Sequence, residues 1–174
     1  MSIQSHGYIH LYTGNGKGKT TAALGLALRA AGAGMKVFIA QFVKGMHYAE
    51  LAALEKLPLI TLKQYGRDCF IVNQPIQADK DAARLGLKEV SAILKNNSYD
   101  VLILDEICIA LYYNLFSLEE VIDLLNSKPV PMEVLLTGRY APPELIQLAD
   151  LVTEMKEIKH YYTLGVKARM GIEF

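Results

Sequence analysis

Short, nearly continuous apolar runs recur along the 174-residue chain and are separated by longer stretches of mixed polarity. Runs of this length, rich in β-branched and aromatic residues, are typical of strands buried on both faces of a parallel sheet. One of them, MKVFIAQFV, ends at residues 41–45, which fall at the carboxyl edge of the predicted sheet, where open α/β folds place their ligands. The pattern predicts strands at residues 8–12, 35–43, 59–64, 100–106, 132–137 and 151–155.

The stretches between these runs carry helical spacing. In residues 78–95, Ala83, Leu87, Val90 and Leu94 form one apolar stripe, as in an amphipathic helix. Further helices are predicted at residues 20–31, 48–57, 107–114, 118–127 and 142–149, whereas residues 156–174 show no clear period. Repeated alternation of strand and helix predicts one three-layer α/β domain over the whole chain, with a mostly parallel sheet whose strand order is left open.

The first apolar run stops at a Gly-rich turn, TGNGKGKTT, which leads into the first predicted helix. This is the strand–loop–helix context of a P-loop, in which backbone N–H groups and the amino end of the helix bind phosphate. Lys19 is placed to reach the β- and γ-phosphates, and the Thr20 hydroxyl to bind Mg²⁺ or Mn²⁺. Thr13 stands where the general motif has its first glycine, and Lys17 adds a cation that the motif does not require.

The turn therefore predicts a nucleoside triphosphate site, for which the alternative is a Gly-rich turn with solvated lysines. The predicted binding residues are Thr13, Gly14, Asn15, Gly16, Lys17, Gly18, Lys19, Thr20 and Thr21.

A second signal is the run DVLILDE at residues 100–106, in which four apolar residues lead into Asp105 and Glu106. This is the form of a Walker B strand, whose Asp helps to hold Mg²⁺ and whose adjacent Glu ligates the metal or orients water. Two adjacent carboxylates at the end of a buried strand are costly without a cation nearby. We therefore predict Thr20, Asp105 and Glu106 as metal ligands, with a purely structural pair of carboxylates as the alternative.

Two arginines and one loop are further candidates. Arg29, on the first predicted helix, is either solvated or turned towards the nucleotide. Arg139, after the strand at residues 132–137, is either a charge stabiliser near the triphosphate or half of a structural ion pair. Residues 65–75 form a loop with apolar residues around Phe70, and long loops in compact domains are often functional. A surface connection with one buried phenylalanine is the alternative for this loop.

Composition excludes several classes of function. The 18 basic and 18 acidic residues leave no net charge, so nothing electrostatic favours nucleic acid as the main partner. Cys69 and Cys108 lack metal-ligand spacing, and two thiols in a chain of this size indicate a reducing compartment. No apolar run approaches about 18 residues, so no membrane partner is expected. We predict a cytoplasmic globular protein.

Stretches spread in one order over nearly the whole chain resemble a known family. They are TGNGKGKTTAALGLALRA (13–30), QFVKG (41–45), LDEI (104–107), TGRYAPPELIQLAD (137–150), VTEM (152–155) and KH…G…A…GIEF (159–174). Together they resemble the P-loop type of ATP:corrinoid adenosyltransferase, also called cob(I)alamin adenosyltransferase. The segments TGNGKGKTTAA and TGR-x-AP are far more specific than a general P-loop, and Thr13 is usual in this family.

The resemblance implies a RecA-like P-loop NTPase fold, a homodimer, and a transferase of cobalamin biosynthesis that moves an adenosyl group from ATP to the reduced cobalt of a corrinoid. It also implies an electron-donating reductase of the flavoprotein type as a partner. It places residues 14–20 on the triphosphate, Thr20 with Glu106 near the metal, and Arg29 close to the nucleotide. Many members carry an aromatic pair in the loop at 65–75, where this chain has Phe70 but Val72, and no Trp anywhere.

The implied chemistry needs no general base, because Co(I) is itself a strong nucleophile. A departing triphosphate must be stabilised, which assigns catalytic roles to Lys19 and Glu106. Phe70 is the candidate apolar wedge that excludes the lower axial ligand of the corrinoid. Two other classes stay open: a small-molecule kinase or ATPase, in which Glu106 would position the attacking group, and a nucleotide-dependent switch module.

Overall fold

The computed structural model describes residues 6–68, 71 and 74–174. Its strands are β1 (Ile9–Thr13), β2 (Val37–Phe42), β3 (Ile60–Tyr65), β4 (Val101–Asp105), β5 (Glu133–Thr137) and β6 (Leu151–Glu154). They form one six-stranded sheet in the order β3-β2-β4-β5-β1-β6, in which every neighbouring pair is parallel. The prediction of a mostly parallel sheet is confirmed, and this sheet is parallel throughout.

Strand β5 lies between β4 and β1, and this order decides which side chains meet. The register pairs Tyr12 of β1 with Thr137 of β5, and Leu104 of β4 with Leu136 of β5. Because the carboxyl ends of parallel strands lie at one edge of the sheet, the loop after β1 and the end of β4 flank Thr137. Residues far apart in the sequence therefore converge at this edge.

The helices cover both faces of the sheet. They are α1 (Lys19–Gly32), α2 (Ala49–Leu54), α3 (Gln77–Asn96), α4 (Ile107–Tyr112), α5 (Leu118–Asn126) and α6 (Pro143–Leu148). Successive strand residues point to opposite faces, so Ile39 packs with the α1 residue Ala27 whereas Phe38 packs in the core that contains Val90 of α3. Helices α1 and α2 lie on one face and the other four on the opposite face, which confirms the three layers.

The segment after β6 is mostly irregular and contains a short 3₁₀ helix, Tyr161–Leu164. Strand β6 is an edge strand whose four residues are all exposed. Phe70 and Val72, at the centre of the predicted loop, lie outside the described residues, as does Cys69. Among the residues that the structure describes, no helix combines the length and apolar character needed to cross a bilayer.

Candidate active site

The loop between β1 and α1 adopts a backbone that requires glycine. Gly14 has a φ of 97°, and a Cβ there would lie 2.5 Å from the carbonyl oxygen of Met155. Gly18, directly before α1, has a φ of 115°. Both angles lie in the left-handed region, which side chains other than glycine rarely adopt. The turn thus brings the amino end of α1 to the edge of the sheet without strain.

Lys19 begins α1 and is only 7% exposed. Its ammonium donates to the carbonyl oxygens of Gly14 and Gly16, each at 2.7 Å. Burial lowers the pKa of Lys19, and the nearby Arg139 lowers it further. The Lys19 ammonium and the amino end of α1 therefore place positive charge together, and both favour the binding of an anion.

Asp105, at the end of β4, is 1% exposed and accepts hydrogen bonds at both carboxylate oxygens. Its Oδ1 accepts from Thr20 Oγ1 at 2.9 Å and from Thr137 Oγ1 at 2.7 Å. Its Oδ2 accepts from Lys44 Nζ at 2.8 Å and from Gln41 Nε2 at 3.2 Å. A carboxylate has about four acceptor sites, so Asp105 is fully engaged.

Glu106 follows Asp105 with a φ of 59°, an angle that is uncommon outside glycine. Its backbone N–H donates to Thr137 Oγ1 at 2.9 Å, which fixes this turn against β5. Burial raises the pKa of the Glu106 carboxyl, and the neighbouring Asp105 raises it further. The side chain lines a cavity, where a cation would relieve both effects.

This cavity has a volume of about 920 Å³ and lies at the carboxyl edge of the sheet. Its wall combines parts of the chain that are distant in sequence: the loop and start of α1, residues around Lys44 and Tyr48, helix α4, and the carboxyl-terminal segment. The predicted residues among its lining are Gly16, Lys17, Gly18, Lys19, Thr20, Thr21, Glu106 and Arg139. Most of the predicted nucleotide site is therefore brought together in one place.

Arg139 lines both this cavity and a second recess of about 580 Å³. Its Nη2 donates to the carbonyl oxygen of Asn15 at 3.3 Å, so the residue after β5 contacts the loop after β1. The recess is lined by Asn15, Arg139, Tyr140, Glu157, His160 and Tyr162. Asn15 thus lies beside the main cavity, within reach of Arg139.

Lys17 lines the cavity but is engaged by the carboxyl-terminal segment. Its ammonium donates to the carbonyl oxygen of Ile172 at 2.7 Å and to Glu173 Oε1 at 2.8 Å. A third hydrogen bond, at 3.3 Å, goes to the Tyr161 hydroxyl. The hydrogen bond to Glu173 raises the pKa of Lys17, so this side chain stays charged.

Some predicted residues lie away from the cavity. Arg29 is exposed in the last turn of α1, whereas the cavity is at the first turn of that helix. Thr13 is buried as the last residue of β1 and, like Gly14, is not part of the cavity wall. Phe70 lies outside the described residues, although Ile71, next to it in sequence, lines the cavity.

The sequence did not single out Gln41, Lys44 or Thr137 as site residues, although residues 41–45 were expected at the ligand-binding edge of the sheet. All three contact Asp105 or its turn. Two signals pointed to them: each lies at or close to the carboxyl end of a strand, and each falls in a stretch that resembles the family. Their contacts depend on which strands are neighbours, which the apolar pattern does not specify.

The site also offers oxygen ligands for a hard cation. The Thr20 hydroxyl and the carboxylates of Asp105 and Glu106 are of the type that Mg²⁺ prefers. Within the described ranges, no cluster of three or more His, Cys, Asp or Glu residues has a geometry suited to a metal. A cation here would therefore need further ligands, such as the phosphate oxygens of a nucleotide and water.

Comparison with known proteins identifies the family. Residues 5–174 match the family model described as ATP:corrinoid adenosyltransferase BtuR/CobO/CobP. The chain belongs to the ATP:corrinoid adenosyltransferase family. The match spans nearly the whole chain, so it includes the loop, the carboxylates of β4 and the carboxyl-terminal segment together.

Individual relatives agree with this family. The corrinoid adenosyltransferase of Escherichia coli K12 is 36% identical over 168 residues, which cover 97% of this chain and 86% of the relative. The corrinoid adenosyltransferase CobA of Salmonella typhimurium is 36% identical over 171 residues, covering 98% and 87%. The corrinoid adenosyltransferase of Pseudomonas aeruginosa is 35% identical over 170 residues, covering 97% and 84%.

A solved structure supports the fold. A KaiC-like protein from Pyrococcus horikoshii OT3 superimposes with a TM-score of 0.54 at 20% identity, covering 88% of this chain and 74% of that chain. Together with the parallel sheet and the loop before α1, this likeness confirms the expected P-loop NTPase fold of the RecA-like type.

Proposed function

We propose that this protein transfers the 5′-deoxyadenosyl group of ATP to the Co(I) centre of a corrinoid and releases triphosphate. The observation that carries the proposal is the full-length family match, whose curated relatives are named corrinoid adenosyltransferases. The cavity supports it independently, because a P-loop lysine and two carboxylates line or border one space at the edge of the sheet.

In the proposed reaction the cobalt attacks C5′ of the ribose with its own electron pair. The new cobalt–carbon bond forms as the C5′–O bond breaks, and the electron pair of that bond leaves with the triphosphate. No proton has to be removed from the nucleophile, so no general base is required. The catalytic task of the protein is to stabilise the charge on the leaving group.

We assign that task to groups already at the cavity. Lys19 and the amino end of α1 supply positive charge to the phosphates, and Arg139, which also lines the cavity, adds a third positive group. Residues 14–21 would bind the triphosphate through their backbone N–H groups. Arg29 is left out of this proposed site, because it is exposed at the far end of α1.

The proposed metal is Mg²⁺ or Mn²⁺, held by Thr20, Asp105 and Glu106 together with the nucleotide phosphates. A divalent cation bound there neutralises part of the phosphate charge. The donor set fits such an ion, since Glu106 is a carboxylate at the cavity wall whose pKa is raised by burial and by Asp105.

We also propose a homodimer, a reductase partner of the flavoprotein type and a cytoplasmic location. A homodimer is supported by the exposed edge strand β6, in which Leu151 and Val152 present apolar side chains to solvent. The resemblance to the family supports a flavoprotein-type reductase as the source of the electron. A cytoplasmic location is supported by the thiols, of which Cys108 is free and buried.

The test is a product analysis. Purified protein is incubated with Mg²⁺, ATP and chemically reduced corrinoid, and the cobalt–carbon product is followed by its absorption spectrum while phosphate products are separated. We expect equal amounts of adenosylated corrinoid and triphosphate. Release of ADP without cobalt alkylation would favour a kinase or ATPase, and the absence of turnover would favour a switch module. Lys19→Ala is the matched inactive control.

A further inference from the structure

Lys44 lies between two groups that we assign to the metal. Its Nζ is 2.8 Å from Asp105 Oδ2 and 3.3 Å from Thr20 Oγ1. Because Thr20 Oγ1 donates its proton to Asp105 Oδ1, the lone pairs of Oγ1 accept the hydrogen bond from Lys44. These are the same lone pairs that would ligate a metal ion. A single ammonium thus contacts the hydroxyl and the carboxylate at the same time.

The Lys44 side chain is held in this position by its surroundings. It is 13% exposed, and its ammonium lies 5.3 Å from the centre of the Tyr48 ring, within the range of a cation–π contact. Burial lowers the pKa of Lys44, but Asp105 outweighs that effect and the net pKa is raised. Lys44 and Asp105 thus form a largely buried ion pair at 2.8 Å.

The backbone next to Lys44 adopts an uncommon conformation and is closely packed. Val43 has a φ of 52°, a left-handed angle that is an outlier for a β-branched residue. At Gly66, a Cβ would lie 2.5 Å from the backbone nitrogen of Lys44, so the next strand end packs directly against this turn. Strain of this kind persists only where the surrounding structure over-determines it, and it clusters at functional sites.

We propose that the Lys44 ammonium is a resident cation at the metal position, which must withdraw from Asp105 and Thr20 when the divalent ion binds. This inference rests on the proposed metal site. An ammonium and a divalent ion cannot share the same oxygen atoms, because they would repel each other strongly at 3–4 Å. Lys44 also lines the cavity, so the displaced ammonium stays beside the space assigned to the triphosphate. Metal binding and the release of Lys44 are then one coupled event.

The inference is tested by Mn²⁺ binding to the nucleotide-free protein, measured from the loss of the free-ion signal in electron paramagnetic resonance. Lys44→Met removes the competing charge and keeps the length of the side chain, so Mn²⁺ should bind at least about tenfold more tightly than to the wild type. Lys44→Gln retains a donor for Asp105 without the charge, and it should show the same gain. If Lys44→Met does not fold, Lys44→Gln tests the inference in its place.

Two control variants separate charge from structure. Lys44→Arg keeps the positive charge and should leave Mn²⁺ binding weak. Lys63→Met removes a lysine that pairs with Glu89 outside the cavity, and it should match the wild type. Unchanged or weaker Mn²⁺ binding in the folded Lys44→Met or Lys44→Gln protein would overturn the inference.

A second measurement separates this inference from the proposed function. Equilibrium dialysis of Mn²⁺ with ATP asks whether the wild type holds the metal–nucleotide complex at all. Retention by the wild type, with no gain in the Lys44 variants, overturns the role of Lys44 alone. Retention by none of the proteins overturns both the metal site and the inference. If the Lys44 variants bind Mn²⁺ more tightly but the wild type forms no adenosylated corrinoid in the product analysis, the inference is supported and the transferase reaction is rejected.

Discussion

Lys17 and Glu173 form an ion pair of 2.8 Å between residues that are 156 positions apart. The pair ties the phosphate-binding loop to the carboxyl-terminal segment, and the Glu173 carboxylate also accepts from the Tyr161 hydroxyl and from the Arg169 backbone N–H. These hydrogen bonds, with that of Lys17 first, hold the pKa of Glu173 well below its usual range. An ionised carboxylate thus lines the cavity in which we propose that triphosphate binds.

Glu173→Gln should tighten the binding of Mg²⁺·ATP. The change removes a negative charge beside the phosphates and weakens the hold on Lys17. Because an exposed ion pair contributes little free energy, we expect the Kd for Mg²⁺·ATP to fall only about two- to fivefold. Isothermal titration calorimetry measures it. Glu144→Gln, in the first turn of α6, is the control that removes an exposed charge elsewhere. Weaker ATP binding in Glu173→Gln would mean that the pair helps to build the nucleotide site.

Lys19→Ala should nearly abolish adenosyl transfer, because it deletes a charge aimed at the triphosphate, in a site where one such group contributes about 3–4 kcal/mol. Lys17→Ala should cost clearly less, since Lys17 is engaged by Glu173 and Ile172. The rate of cobalt–carbon product formation from chemically reduced corrinoid measures both. Equal losses in the two variants would contradict this assignment of roles.

Glu106→Gln should raise the Mg²⁺ concentration needed for half-maximal activity without changing the product. The amide keeps the shape of the side chain but loses the charge that a divalent ion requires. A titration of activity with MgCl₂ measures the effect. Steady release of ADP by the wild type without corrinoid would instead indicate that Glu106 activates water.

Phe70→Ala should impair activity severely when the enzyme starts from Co(II), and mildly when Co(I) is supplied chemically. An axial ligand on Co(II) makes the next electron harder to add, so an apolar side chain that excludes this ligand favours reduction. Ile71, next in sequence, lines the cavity, and its carbonyl oxygen accepts from the Tyr113 hydroxyl at 3.4 Å. The two assays are compared side by side. An equal loss in both would mean that Phe70 only packs the loop.

Glu89→Gln should lower the melting temperature at neutral pH by an amount that corresponds to about 1 kcal/mol of unfolding free energy. Glu89 accepts from Lys63 and from the Tyr65 hydroxyl, and these contacts, Lys63 first, lower its pKa below 4.5. A carboxyl group whose pKa is lower in the folded state stabilises the folded protein at pH values above its unfolded pKa. This contribution is lost as the pH falls through the folded-state pKa.

The difference in melting temperature between the wild type and Glu89→Gln should therefore be largest near pH 7, shrink below about pH 4.5 and disappear in stronger acid. Thermal unfolding followed by circular dichroism at several pH values measures it. A difference that stays constant down to acid pH would show that the amide disturbs packing and that the charge has no role.

Local features of this protein could be predicted from the sequence alone. The apolar runs located the strands within a few residues, and for β2, β4 and β5 the reason is that a strand buried on both faces has to be apolar at successive positions. The turn at residues 13–20 was predictable for a similar reason, since its glycines and the helix that follows form a structure within one continuous segment. The adjacent Asp105 and Glu106 marked the end of a buried strand by their charge.

Only the tertiary structure decided which distant residues meet. Thr137, Gln41 and Lys44 reach Asp105 or its turn because β5 and β2 are the neighbours of β4. Many strand orders would bury the same apolar residues equally well, so the apolar pattern could not select this one. Lys17 illustrates the same limit. Its charge was visible in the sequence, but its engagement by Glu173 depends on where the chain returns after β6.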